Sequence, residues 1–165
     1  MLRYFLLLIV FVASNTYGQN DLTTFILVRH AEKEATPVDP KDPMLSKEGQ
    51  ERAQRLMTTL EKQKVDVILS TNFNRTRNTV KPFADGKGIS VQAYESLKQP
   101  QLEELISKNK GGTILVAGHS NTIPALANLL LGKEQFKNYD DADYGNILIV
   151  TISSIGKGTV THLRY

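Results

Sequence analysis

At 165 residues the chain has material for one well-cored domain rather than two, and its 41% hydrophobic and 22% charged content is that of a folded globular protein. A formal charge of +3 tolerates anionic ligands but supplies no basic arm for nucleic acid. The lack of cysteine excludes disulfides, thiolate metal sites and cysteine nucleophiles together.

Residues 1–18 open with Arg3, run apolar from Tyr4 to Ala13 and close on Ser14-Asn15-Thr16-Tyr17-Gly18. A single positive charge, a short apolar core and small residues before a cut describe a secretory signal, with cleavage expected after Gly18. The apolar core is about half the ~20 residues that a bilayer-spanning helix needs. These features predict an exported protein, periplasmic or secreted and free of the membrane after cleavage, whose working domain is residues 19–165.

Thr23–Val28 is a β-rich apolar run that leads directly into Arg29-His30. Residues 31–44 are polar and hold Pro37, Pro40 and Pro43, so they read as a loop. Ser46 caps an expected helix to about Gln63, with Ala53, Leu56, Met57 and Leu60 spaced as one buried face. Val65–Leu69 is a buried strand, followed by a helix from Asn72 to about Phe83 with Pro82 near its end. A short strand over Ile89–Ala93 precedes a helix over Leu102–Lys108, stopped by Gly111-Gly112. Thr113–Ala117 is the most apolar strand and ends in Gly118-His119-Ser120. A helix over Thr122–Leu131 tolerates Pro124 in its first turn. After a polar loop over residues 132–144, Ile147–Ser153 and Thr159–Arg164 form two strands joined by a Gly156-Lys157-Gly158 turn.

This alternation predicts a three-layer α/β/α sandwich with a mainly parallel sheet and an antiparallel edge strand. Ligands of such sheets lie at the carboxyl ends of strands, beside a topological switch point. Three strand ends carry the groups of interest: Arg29-His30 after the first, Arg75 just beyond the second, and His119-Ser120-Asn121 after the fourth. Guanidinium forks match the equatorial oxygens of a transferring phosphoryl group. Neutral imidazole is a nucleophile near pH 7, and a helix N-terminus after His119 would add anion-binding N–H groups.

These residues carry a resemblance. Leu27-Val28-Arg29-His30-Ala31 is similar to the opening signature of the histidine phosphatase superfamily, which includes the phosphoglycerate mutases. Leu45-Ser46-x-x-Gly49-x-x-x-Ala53, Leu69-Ser70-x-x-x-x-Arg75-x-x-x-Thr79 and Val116-x-Gly118-His119-Ser120-Asn121 resemble its later segments, in order. The resemblance implies the phosphoglycerate mutase-like fold and transient phosphorylation of His30. Arg29, Arg75 and His119 then clamp the phosphoryl group, Ser120 and Asn121 line the pocket, and no metal or other cofactor takes part. Ala31 stands where many relatives have glycine. The short span between Arg75 and His119 is most similar to the compact phosphatase branch, and it disfavours a mutase.

The implied reaction is hydrolysis of a phosphomonoester or phosphoramidate, with a small phosphorylated substrate as partner. The alternatives are a phosphoprotein (phosphohistidine) phosphatase and an inactive module that binds phospho-ligands without turnover. Glu95 is either the proton donor or an exposed loop acid, and it discriminates an active enzyme from such a module. Glu32 and Glu34 read as loop charges rather than metal ligands, because carboxylates beside the site would repel phosphate. His162 reads as structural, Glu103 and Glu104 as a solvated helix face, and the Asn74-Arg75-Thr76 glycosylation motif as chance.

Overall fold

A computed structural model describes residues 22–95 and 97–165; the expected signal, residues 1–18, lies outside the described residues. The elements run β1 (Thr23–Arg29), α1 (Lys47–Leu60), β2 (Val67–Ser70), α2 (Asn74–Lys87), β3 (Val91–Ala93), α3 (Gln99–Lys108), β4 (Thr113–Gly118), α4 (Thr122–Leu131), β5 (Asn146–Ser154) and β6 (Lys157–Arg164). The six strands form one sheet in the order β3-β2-β4-β1-β5-β6. β3, β2, β4 and β1 are parallel, and the antiparallel component is the terminal hairpin, with β5 paired to β1 and β6 to β5.

The central strands β1 and β4 are apolar without alternation over Phe25–Val28 and Ile114–Ala117 because both faces of the sheet are covered. Phe25 and Leu27 of β1, with Ile114 and Val116 of β4, pack beneath α3 and α4. Their alternates Ile26, Val28, Leu115 and Ala117 pack beneath α1 and α2. These are the three layers expected from the sequence. The neighbouring strands β1 and β4 therefore send their following helices to opposite faces, which makes the gap between their carboxyl ends the switch point.

Several boundaries differ from the sequence expectation. α2 continues through Pro82 to Lys87. Proline removes one N–H, but Phe83 and Ala84 just beyond it are buried, and Gly88 ends the helix at φ 66° with its N–H on the carbonyls of Ala84 and Asp85. α1 stops at Leu60, its last buried residue, short of Gln63. α3 begins earlier, at Gln99, with Pro100 in its first turn. The final turn falls at Ile155-Gly156, where Gly156 takes φ 83°, rather than at Gly156-Lys157-Gly158. The capping expectation for α1 holds: the Gly49 N–H donates to Ser46 Oγ at 3.1 Å.

Candidate active site

His30 is the first residue past β1, and its N–H donates to the Gly118 carbonyl at 2.9 Å, which extends the β1–β4 ladder by one step. The next N–H, of Ala31, donates to Thr79 Oγ1 at 2.9 Å, and that hydroxyl donates to the Arg75 carbonyl at 2.7 Å. The loop after β1 is thus sewn to α2 while His30 is held against β4. His30 is buried, and its Nδ1 lies 2.8 Å from the Ala31 carbonyl oxygen. A carbonyl only accepts, so Nδ1 carries the proton and the lone pair sits on Nε2.

His119, at the end of β4, stands edge-on to His30 with ring centroids 5.4 Å apart. Its Nε2 is 3.0 Å from Thr71 Oγ1, which in turn is 2.8 Å from Thr76 Oγ1. Its N–H donates to Thr122 Oγ1 at 2.9 Å. Burial drives the His30 pKa down to about 4; the Ala31 bond opposes this, and the positive charges of Arg29, His119 and Arg75 reinforce it. Burial, then Arg75 and Arg29, lowers that of His119 to about 4 as well. Both rings are therefore neutral at pH 7.

Arg75 sits in the first turn of α2, stacked at 4.4 Å on the Phe73 ring and 3.9 Å from Asp42. Burial lowers its pKa and Asp42 opposes this, yet a guanidinium stays charged. Arg29 is 5% exposed. Its Nη1 donates to the carbonyls of Asp140 and Asp143 at 2.7 and 2.9 Å, and its Nη2 to that of Asp141 at 3.1 Å. The Tyr144 ring covers it at 4.2 Å, and its Nε is buried without a partner. The fork expected to be free for phosphate is thus engaged with the loop before β5, and one buried donor is left over.

The other expected residues take less central places. Ser120 is half-buried, and its carbonyl accepts from the Tyr139 N–H at 2.9 Å; Asn121 is exposed at the start of α4. Glu95 is exposed past β3 and lines a cavity with Thr71 and Tyr94. Glu32 is not a free loop charge: Arg52 holds it through bonds of 2.5 to 2.9 Å. Burial alone would raise the Glu32 pKa, and the Arg52 bonds outweigh it and lower it. His162 is bound to Asn146 Oδ1 at 2.8 Å, as a structural histidine is. Sequence reasoning missed Thr71, Phe73 and Tyr144. Thr71 follows a strand end already flagged by Ser70, so its position was the available signal. Tyr144 reaches Arg29 from 115 residues away, and its ring lies 6.2 Å from that of His30.

Two neutral imidazoles and two guanidiniums thus meet at the β1/β4 switch point, an arrangement chemically able to hold and attack an anionic electrophile.

A sequence profile of the histidine phosphatase superfamily (branch 1) matches residues 25–99. Phosphoserine phosphatase 1 of Hydrogenobacter thermophilus is 38% identical over 74 residues, covering 42% of this chain. The match spans 35% of that relative, about a third of its length. Among solved structures, the protein histidine phosphatase SixA complexed with tungstate is similar at a TM-score of 0.70 and 17% identity, over 86% of this chain and 96% of that one. A mycobacterial glucosyl-3-phosphoglycerate phosphatase is similar at 0.70 and 13% identity, over 87% and 98%. At these identities the two structures speak to the fold alone.

Proposed function

We propose that this chain is a member of the histidine phosphatase superfamily, whose profile matches residues 25–99, and that it hydrolyses a phosphomonoester or phosphoramidate through a phosphohistidine on His30, without a metal ion. The observation that carries this reading is the state of His30: neutral, protonated on Nδ1, and set 5.4 Å from a second neutral imidazole. Its Nε2 attacks phosphorus as the bond to the leaving oxygen or nitrogen breaks, and Glu95 delivers the proton that atom needs, while the neutral His119 ring stands beside the transferring group. Water then attacks the P–N bond, gives its proton to Glu95, and frees His30 and orthophosphate. Arg75 and the unpartnered Arg29 Nε balance charge on the equatorial oxygens, with N–H groups of Ser120 and Asn121 at the α4 N-terminus beside them. A small phosphorylated molecule is the substrate class, and the N-terminal sequence supports export, with Gln19 as the first residue expected in exported protein.

The full chain is expected to hydrolyse p-nitrophenyl phosphate in the presence of chelator, to trap acid-labile phosphate on His30, and to lose both with His30→Ala. Turnover that survives His30→Ala, or that chelator abolishes, overturns the mechanism. Orthophosphate binding without turnover of any ester would instead identify a phospho-ligand-binding module.

A further inference from the structure

His119 is flanked by apolar space. A cavity of about 300 Å³ lies between α4 and the segment joining β3 to α3, and two of its wall residues are His119's own partners: Thr71 at Nε2 and Thr122 at the backbone N–H. α4 contributes Thr122, Ala125, Leu126 and Leu129, spaced i, i+3, i+4, i+7, so one helix face forms a wall. Leu97 lines the same space.

The hydroxyls in this wall are already engaged. Tyr94 donates to the Ala117 carbonyl at 3.2 Å, Thr71 bonds His119 and Thr76, and Thr122 accepts from His119. The remaining charged lining residues, Glu95 and Lys98, are exposed. Phe73, 38% exposed and 5.3 Å from the His119 ring, adds a second apolar surface beside the same imidazole. A second cavity of about 610 Å³ shares Tyr94, Glu95 and Leu97 and continues the space beneath α3.

We infer that this cavity receives the organic part of the substrate and that it selects apolar alkyl or aryl phosphates. The inference rests on the phosphatase reading above and deepens it. A sugar or amino-acid leaving group would bring hydroxyls and amines against the carbon side chains of Leu97, Ala125, Leu126 and Leu129 and against hydroxyls already engaged, and unpaired polar groups are costly to bury. A hydrocarbon group exchanges water for the side chains of Leu97, Leu126 and Leu129. Glu95, on the same lining, then stands beside the oxygen that must be protonated as this group departs.

The test is a series of straight-chain alkyl phosphates from ethyl to hexyl, whose leaving oxygens are of nearly equal basicity, so that rate differences report binding. With the full chain, kcat/KM is expected to rise about threefold to fourfold per methylene. Ala125→Phe projects a ring into the cavity and should bring the hexyl-to-ethyl ratio close to one. Ala125→Leu should fall between, and Ala125→Ser should keep the slope. Calorimetric binding of the same phosphates to His30→Ala reads the cavity without turnover. A flat series in both measurements, or a slope untouched by Ala125→Phe, overturns the inference. Equal turnover of every ester removes the cavity and keeps the phosphatase; chain-length-dependent binding with no turnover of any ester does the reverse.

Discussion

His30 and His119 face each other in a setting that is hostile to protons. Each is removed from water and set among guanidiniums, so each pKa falls to about 4. The protein has only three histidines, so imidazole resonances can be assigned with His30→Ala and His119→Ala. A pH titration followed by NMR is expected to show this pair protonating near 4, as two steps belonging to the pair. The consequence for stability follows in sign. The unfolded chain binds these protons near 6.5 and the native state only near 4, so stability falls as pH drops through that window and is unaffected by them above it. Titration of either ring near 6.5 would show that burial and the guanidiniums do not act on it as the geometry implies. The pair itself was legible in the sequence, because each histidine ends an apolar run that only a buried parallel strand explains. Their partners were less so: Thr71 offered only its position after a strand end, and Tyr144 is ordinary in type and gains its role through tertiary packing alone.

Among the elements, α1 shows how a helix far from the chemistry sets its position. Its first turn rests on the loop that begins at His30: the Ser46 N–H donates to the Glu32 carbonyl at 2.9 Å, and Arg52 grips the Glu32 carboxylate. Gly49 makes this approach feasible, since a Cβ there would stand 2.1 Å from the Glu32 carbonyl oxygen. Helix propensity alone would reward Gly49→Ala by about 1 kcal/mol. The clash with backbone dominates, and urea denaturation is expected to show a loss of about 1–3 kcal/mol, typical of overpacking. A gain in stability would show that the His30 loop yields easily. Amphipathic spacing and caps made α1 and α4 legible, and α4 spans Thr122–Leu131 as read from the sequence. The continuation of α2 past Pro82 was not legible, because what sustains it is burial of Phe83 and Ala84 against elements distant in the chain.

At the scale of the molecule, the parallel part of the sheet and the terminal hairpin meet along β1, and the loop between α4 and β5 crosses the site at that seam. Asn128 of α4 holds its first part through Glu134, Gln135 and Phe136, and three anchors hold the stretch over Tyr139–Tyr144. Arg29 reaches the carbonyls of Asp140, Asp141 and Asp143, the Tyr139 N–H bonds Ser120, and Arg164 of β6 bonds the Asp143 carboxylate at 3.0 Å and the Tyr144 carbonyl at 3.1 Å. Arg29 thus joins the strand that leads into His30 to the segment that places Tyr144 beside that ring. Arg29→Lys keeps the charge but cannot span three acceptors from one planar fork. Losing even one hydrogen bond to a charged group corresponds to about a tenfold change in a local opening equilibrium. Amide exchange over Tyr139–Tyr144 is therefore expected to quicken by at least about tenfold in Arg29→Lys, and phosphatase turnover to fall with it. The central ladder between β1 and β4 should keep its protection, because none of its bonds involves this side chain. If loop exchange stayed unchanged while turnover collapsed, Arg29 would act on the phosphoryl group alone and the loop would be held by Ser120 and Arg164.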